Sequence, residues 1–196
     1  PDLEEAPDPL MNWETVSPAW WVPRGYVCVR IDTRGSGKSP GLSDPGSYQE
    51  ALDFYDAIEW AARQPWCSGN VGTAGISYHA TSQWKVAGLR PPSLKAIMPW
   101  EGWADAYRDA SYHGGIFSLY FTATWYATQI AHHLLGKPQS YNPDAFRNER
   151  LWMYMRHNLD TGWWDNRSAH WDQIEVPLYS VGNWSGMGLH LRGNTE

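Results

Sequence analysis

One short run of residues constrains this chain more than any other. It reads Asn70-Val71-Gly72-Thr73-Ala74-Gly75-Ile76-Ser77-Tyr78-His79-Ala80, an apolar strand that meets a serine and continues into a helix-compatible stretch. A serine between a strand and a helix, with a small residue two positions earlier, is typical of a nucleophile elbow. Gly75 suits the close backbone approach of that turn, whereas His79 stands where a second glycine is usual. The same run also allows an ordinary turn in which Ser77 only caps the helix.

The first half of the chain alternates predicted strands and helices. Gly25 to Asp32 is rich in β-branched and aromatic residues, which predicts a buried strand. Ser47 and Glu50 form an S-x-x-E capping box, which predicts a helix that ends near Gln64-Pro65. Three further elements follow: a strand from Asn70 to Ile76, a helix from Thr81 to Leu89 and a strand from Leu94 to Trp100. Connections of this length favour parallel strands with helical crossovers, so we expect an α/β fold.

Residues 103–172 break this alternation. The stretch from Ile116 to Leu135 is apolar nearly all round, which predicts a helix buried between layers. Asn142-Pro143 is a good helix start and predicts a helix through Met155. The sheet is predicted to resume over Val176–Gly182. The sequence therefore predicts an incomplete core over 1–102 and 173–196, with a helical cap inserted over 103–172.

Composition excludes several classes of protein. The 196 residues suit one domain, and a hydrophobic content of 42% indicates a folded core. A net charge of −6 without a basic run predicts no nucleic-acid partner, and no stretch has the roughly 20 apolar residues of a membrane span. Two cysteines form no disulfide framework, which favours a reducing, cytoplasmic location. No histidine pair has metal-ligand spacing with supporting carboxylates, so neither a metal nor a cofactor is expected.

Several motifs, taken in order along the chain, carry a family resemblance. They are Asp32-Thr33-Arg34-Gly35-Ser36-Gly37-Lys38-Ser39-Pro40-Gly41, Gln64-Pro65-Trp66-Cys67-Ser68-Gly69-Asn70-Val71-Gly72, Gly75-Ile76-Ser77-Tyr78, Gln83-Trp84, Leu94-Lys95-Ala96-Ile97 and Ile174-Glu175-Val176-Pro177. From about residue 20 onward, the chain resembles the cocaine-esterase-like hydrolases (the CocE/NonD group), relatives of the X-Pro dipeptidyl-peptidases. The resemblance implies an α/β-hydrolase core, a helical cap and a C-terminal jelly-roll domain.

The resemblance also implies a Ser-Asp-His triad that cleaves esters or amides. Ser77 matches the family's nucleophile, and Tyr78 matches the residue whose backbone N–H helps to form the oxyanion hole. The family's other oxyanion donor is a tyrosine side chain further upstream, and nothing in this chain matches that region. The expected partner is a small ester or amide substrate, and association into a homo-oligomer stays open.

Two departures from the family pattern affect the triad. Ser185 stands where the family has its aspartate, in the run Gly182-Asn183-Trp184-Ser185-Gly186. The family's histidine lies one strand later, and this chain ends before that point, at Glu196. We therefore expect a piece of a longer protein, with the triad histidine outside it and little activity on its own. None of the seven histidines occupies the family's place: His79, His113, His132, His133, His157, His170 and His190.

Glu101 is the candidate for the missing acid. It ends the strand one place after the nucleophile's strand, where a carboxylate could reach a triad histidine, and Asp105 is a poorer second candidate. The competing interpretation is that Glu101 only caps or forms a salt bridge at the base of the cap. Trp100, Trp103 and Trp184 are candidates for the walls of a substrate pocket, although plain core packing would also explain them.

The residues together predict a serine hydrolase. Ser77 would attack an acyl carbon, and the Tyr78 N–H would stabilise the oxyanion. Two alternatives stay open on the same scaffold. One is a non-catalytic binding module, which the serine at position 185 and the missing histidine would favour. The other is an acyltransferase, which differs only in what accepts the acyl group.

Overall fold

The centre of the molecule is a parallel pair of strands joined by a helix. This computed structural model describes residue 10 and residues 12–131, 150–186 and 188–196. Strand β1 (Val71–Ile76) pairs in parallel with β2 (Leu94–Trp100), and helix α3 (Tyr78–Gly88) makes the crossover between them. Ile76 lies opposite Trp100 in this register, so both strands end at the same edge of the sheet.

The chain adds a third parallel segment on the far side of β2. Isolated bridges join Ile97 to Leu178 and Trp100 to Val181. Backbone hydrogen bonds run from the Val181 N–H to Pro99 O, at 3.1 Å, and from the Glu101 N–H to Val181 O, at 2.8 Å. The predicted strand at 176–182 is therefore present as a short ladder rather than a full strand.

The predicted strand from Gly25 to Asp32 is wrong. No residue in this segment is in a strand, and Tyr26, Val27 and Ile31 are each more than half exposed. A strand exists only where a neighbour pairs with it, and among the described residues no ladder joins this segment to β1. The N-terminal elements described before and after it are α1 (Pro18–Trp21), a 3₁₀ turn (Val22–Arg24) and α2 (Tyr48–Ala62).

Helix α2 begins as the capping box predicts. The Ser47 hydroxyl accepts a hydrogen bond from the Glu50 N–H at 3.2 Å. The Glu50 carboxylate, however, bonds to the Gly46 N–H and the Tyr78 hydroxyl. The helix start is thereby tied to the first residue of α3. The apolar face of α2 packs with α3 and β2 around Ile58, Trp84, Val86, Ala87, Leu94 and Ile97.

One polar side chain lies inside this core. Gln83, on α3, is 1% exposed. Its Oε1 accepts hydrogen bonds from the Met98 N–H of β2 and the Thr73 hydroxyl of β1, at 2.9 and 3.1 Å. Its Nε2 donates to His79 O at 2.8 Å. The amide therefore joins both strands to the helix that crosses between them, and its hydrogen bonds compensate for its burial.

The described part of the chain after residue 105 contains short strands and several helical segments. The predicted helix from Ile116 to Leu135 is present from Leu119 to Ala131 in its described part, but it begins later than predicted because Ile116 and Phe117 form a strand. It is not buried between layers, since Leu119 and Tyr120 are 54% and 84% exposed. Gly114 and Gly115 both have positive φ, at 59° and 84°, and form a turn between two short strands. The elements that follow residue 105 are a π-helix (Ala106–Ser111), β3 (Tyr112–His113), β4 (Ile116–Phe117), α4 (Leu119–Trp125), a π-helix (Tyr126–Ala131) and helices at Arg150–Arg156 and Gly162–Asp165.

This region also has its own buried cluster, made of Ala106, Tyr112, Tyr154 and Trp164. The predicted helix from Asn142 begins outside the described residues. His132 and His133 also lie outside them. The C-terminal part contains 3₁₀ turns at Trp171–Gln173 and Trp184–Gly186, then a helix at Leu191–Thr195. Trp171 packs on Trp84 of the core, with ring centroids 4.8 Å apart. In the described parts of the chain, no helix is long and apolar enough to cross a membrane.

Candidate active site

Ser77 lies at the sharp turn between β1 and α3. Its backbone has φ 59° and ψ −116°, a strained conformation for a residue with a side chain. The Ser77 N–H donates to Trp100 O at 2.9 Å, which ties the turn to the end of β2. The predicted elbow geometry is therefore present. The residue is 8% exposed, so only a small part of its surface meets solvent.

Gly75 has the role that the sequence predicted. A Cβ built on Gly75 would lie 2.5 Å from the Cβ of His79 and 3.4 Å from Glu14 O. The first of these distances is too short for any real contact, so only glycine fits between the strand and the first turn of α3. His79 thus fills the space on the helix side of the elbow.

His190 lies beside the serine. Its Nε2 is 3.0 Å from Ser77 Oγ, which is hydrogen-bond distance. The imidazole ring is nearly parallel to the indole of Trp103, with an angle of 13° and centroids 6.3 Å apart. This contact contradicts the expectation that no histidine of this chain is well placed beside Ser77. The sequence signal was weak, because His190 is 113 positions away and follows the last predicted strand.

Glu101 lies on the other side of the same ring. Its Oε2 is 3.6 Å from His190 Nδ1. Glu101 follows β2 directly and also has positive φ, at 53°. A residue with positive φ thus follows each strand of the pair directly, and the side chains of these two residues, Ser77 and Glu101, both belong to this site. The assignment of Glu101 as the triad acid, made from strand order, stays a prediction.

Burial sets the protonation of His190. The side chain is 16% exposed, and this burial lowers its pKa below the ordinary value of 6.5, although Glu101 acts in the opposite direction. This shift favours the neutral imidazole, the form in which it can accept a proton. Glu14 lies near Glu101, and burial raises the pKa of the Glu14 carboxyl, with the charge of Glu101 adding to the effect.

The other candidate residues have different surroundings. Ser185 is exposed, and its N–H and hydroxyl both bond to Asn183 Oδ1. Asp105 caps the first π-helix by accepting from the Tyr107 and Arg108 N–H groups. Trp103 is buried against the site, whereas Trp100 and Trp184 are 40% and 80% exposed.

Three of the remaining histidines have partners elsewhere or lie at a distance from the elbow. His113 Nε2 bonds to Asp109 O at 2.6 Å. His157 stacks on Trp163 with centroids 4.2 Å apart. His170 precedes the 3₁₀ turn at residues 171–173. Across the described ranges, no group of three or more histidine, cysteine, aspartate or glutamate side chains could hold a metal ion.

A serine on a strained turn after a parallel strand, with a helical crossover behind it, defines an α/β-hydrolase fold. Residues 4–194 match the X-Pro dipeptidyl-peptidase (S15 family), and the chain belongs to that family. It is thus a member of a family of serine esterase- and peptidase-like hydrolases.

Three relatives illustrate the similarity. The cocaine esterase of Rhodococcus sp. (strain MB1 Bresler) is 41% identical over 121 residues, which is 60% of this chain and 21% of the esterase. A crystal structure of a CocE/NonD family hydrolase from Staphylococcus aureus matches 94% of this chain and 32% of that one, with 40% identity and a TM-score of 0.81. An α-amino acid ester hydrolase, 17% identical with a TM-score of 0.54 over 76% of this chain and 30% of its own, shares the fold. The chain spans about a fifth of the length of the curated relatives that it matches.

Proposed function

We propose that this protein hydrolyses an acyl bond through Ser77, His190 and Glu101. The observation that carries the proposal is the pair of contacts made by the His190 ring. Nε2 lies 3.0 Å from the serine oxygen, and Nδ1 lies 3.6 Å from the glutamate oxygen. A nucleophile, a base and a carboxylate in this order are the parts of a serine-hydrolase triad. On this proposal the base lies within the chain, not beyond Glu196.

Each residue has one role in the proposed reaction. His190 Nε2 takes the proton of the Ser77 hydroxyl as its oxygen attacks the acyl carbon, and Glu101 stabilises the imidazolium that forms. The N–H of Tyr78, in the first turn of α3, donates to the oxyanion. His190 then passes the proton to the leaving oxygen or nitrogen. Water, deprotonated by His190, releases the acyl group and restores the serine.

We propose an ester as the preferred substrate. This follows from the identity of 41% with a cocaine esterase, although the family's name includes X-Pro peptidases, which cleave an amide. Trp103, stacked on His190, is a candidate wall for the acyl or leaving group. The binding-module alternative requires an inert serine. The acyltransferase alternative requires that an acceptor other than water takes the acyl group.

The test compares variants of the full-length protein on a short-chain chromogenic ester. We expect Ser77→Ala and His190→Gln each to lower kcat by about 1,000-fold or more. His170→Gln, a histidine change away from the elbow, should leave kcat within about twofold. A fluorophosphonate probe should label wild-type Ser77 and fail to label Ser77→Ala. Unchanged turnover in both triad variants would refute the proposal, and an added alcohol that raises acyl-ester formation over hydrolysis would favour the acyltransferase.

A further inference from the structure

His190, the residue proposed as the base, is followed by only a short helix. The described chain resumes at residue 188, and His190 is followed at once by the helix Leu191–Thr195. That helix is too short to hold a fixed position by its own hydrogen bonds. Proton transfer nevertheless requires the imidazole to stay within a fraction of an ångström of its partners. The contacts of residues 191–195 with the rest of the molecule must therefore determine where the ring lies.

Arg192 makes the first of these contacts. Its Nη1 lies 3.3 Å from Asp109 Oδ1 and 3.8 Å from Asp105 Oδ2, while its Nη2 lies 2.8 Å from Glu196 Oε1. The Asp109 side chain is 7% exposed, so its charge needs a partner. Arg192 supplies a positive charge there, two residues after His190.

Asp109 is also tied to the segment that follows Glu101. Its Oδ2 accepts hydrogen bonds from the N–H groups of Ala104 and Asp105, both at 2.9 Å. The Asp109 carboxylate therefore holds two segments. One of its oxygens binds the segment after Glu101, and the other binds Arg192 in the helix after His190. The segment after Glu101 and the helix after His190 are thus both attached to the same buried side chain.

Gly193 makes the second contact. A Cβ built on Gly193 would lie 2.1 Å from Gly102 O and 2.8 Å from the Ala104 nitrogen. The helix backbone therefore lies directly on the backbone of residues 102–104. Gly188, by contrast, has nothing within 4 Å of a built Cβ. The fit between the two backbones leaves no room for a side chain at residue 193.

We propose that Arg192 and Gly193 are positioning residues for His190, which they hold at hydrogen-bond distance from Ser77 and beside Glu101. The inference rests on the proposed function, because it matters only if His190 is the base. Arg192 fixes the helix to Asp109, and Gly193 fixes its height above the segment after Glu101. Neither residue touches the substrate's reacting bond in this proposal.

The charged groups near His190 come from four segments of the chain. Glu101 follows β2, with Glu14 near it. Asp105 caps the first π-helix, Asp109 lies within it, and Arg192 lies in the helix that follows His190. If the attachment to Asp109 is lost, the ring becomes more exposed, and its pKa rises toward the ordinary value. The acid limb of kcat/KM should then move to higher pH.

The experiment measures kcat, KM and pH profiles of Arg192→Met, Arg192→Lys, Gly193→Ala and the matched control Gly188→Ala in the full-length protein. We expect Arg192→Met and Gly193→Ala to lower kcat by about 10- to 100-fold with KM within about twofold, because a displacement of about 1 Å can cost about 100-fold. The acid limb should move to higher pH in both. Arg192→Lys should recover part of the loss, and Gly188→Ala should match wild type.

The outcomes separate this inference from the proposed function. If Ser77→Ala and His190→Gln abolish turnover while Arg192→Met and Gly193→Ala keep wild-type kcat and acid limb, the inference is wrong and the proposed function stands. If the triad variants remain active, the proposed function fails first. A loss of kcat with an unmoved acid limb would show loss of folded protein rather than of positioning. Should Arg192→Met fail to fold, the acid limb of Arg192→Lys decides, and an unmoved limb there overturns the inference.

Discussion

The two ends of the candidate site rest on unlike supports. Ser77 lies at the junction of a paired strand and a buried helix, and backbone hydrogen bonds fix it to the end of β2. His190 immediately precedes a short helix and follows a segment that meets the sheet through two isolated bridges. Local sequence determines the position of Ser77, the proposed nucleophile, whereas contacts between distant segments determine that of His190, the proposed base. Changes at the two ends should therefore differ in size and in kind.

The largest effect is expected at the nucleophile's end. Gly75→Ala would bring a methyl group 2.5 Å from the Cβ of His79. A Cβ atom is bonded to the backbone, so no side-chain rotation can relieve this clash. The turn must then open, and we expect kcat on a chromogenic ester to fall by about 1,000-fold, as for direct loss of the nucleophile. Gly72→Ala on the same strand is the control, because its Cβ would lie 3.6 Å from Ala96 O, an ordinary contact. Equal activities in the two variants would contradict the tight elbow.

A smaller loss is expected for Glu101→Gln. The amide would keep the shape but remove the charge that stabilises the imidazolium, and we expect kcat to fall by about 100-fold, within the usual range for acid–base groups. Asp105→Asn tests the competing acid. It should change kcat by less than about threefold and lower the free energy of unfolding by about 1 kcal/mol, since Asp105 caps a helical turn. The reverse ranking of the two variants would assign the acid to Asp105.

The pH dependence should report the base's end. Because burial lowers the pKa of His190, the acid limb of kcat/KM should lie below pH 6.5. The free energy of unfolding should also fall at acid pH. His190 binds a proton more tightly in the unfolded chain than in the folded protein, so its contribution to stability is complete above pH 6.5 and is lost as the pH drops below 6.5. Rate profiles and unfolding curves at several pH values measure both effects. An acid limb above pH 6.5 in the wild type would contradict a buried imidazole.

A still smaller effect is expected at position 185. Ser185 is exposed and bonds to Asn183, and no bond from it to His190 occurs among the described contacts. Ser185→Asp should therefore change kcat by less than about twofold, as surface changes usually do. The sharper measurement is the double variant with Glu101→Gln. If the new aspartate restores turnover there, the site accepts a carboxylate from either segment.

The smallest effect is expected for Glu14→Gln. Burial raises the pKa of Glu14, so its charged form is disfavoured in the folded state, and the cost appears as the pH rises through 4.5. Removing the charge should stabilise the protein at pH 7 by at most about 0.5 kcal/mol after solvent screening, and not at pH 3. Denaturant unfolding at the two pH values measures this difference. A larger stabilisation by Glu14→Gln at pH 3 than at pH 7 would contradict a raised pKa for Glu14.

The sequence predicted the nucleophile's end well because its signals are local. The capping box at Ser47, the strand from Leu94 to Trp100 and the glycine at position 75 each act within a few residues, and the structure has all three. The strand at Gly25–Asp32 was wrong because pairing is a tertiary event that composition only permits. His190 escaped prediction for the same reason: its partners, Ser77 and Glu101, are about a hundred residues away in sequence.

The buried amide of Gln83 has a consequence for how the two central strands find their alignment. A slip of one residue between β1 and β2 would already turn the side chains of one strand to the opposite face of the sheet. Gln83 adds a second penalty, because a slip would leave its donors and acceptors buried without partners. One buried polar side chain thus helps to specify the register of the parallel pair. It also helps to keep Ile76 opposite Trp100, and with this register the separation between Ser77 and Glu101, which follow the two strands.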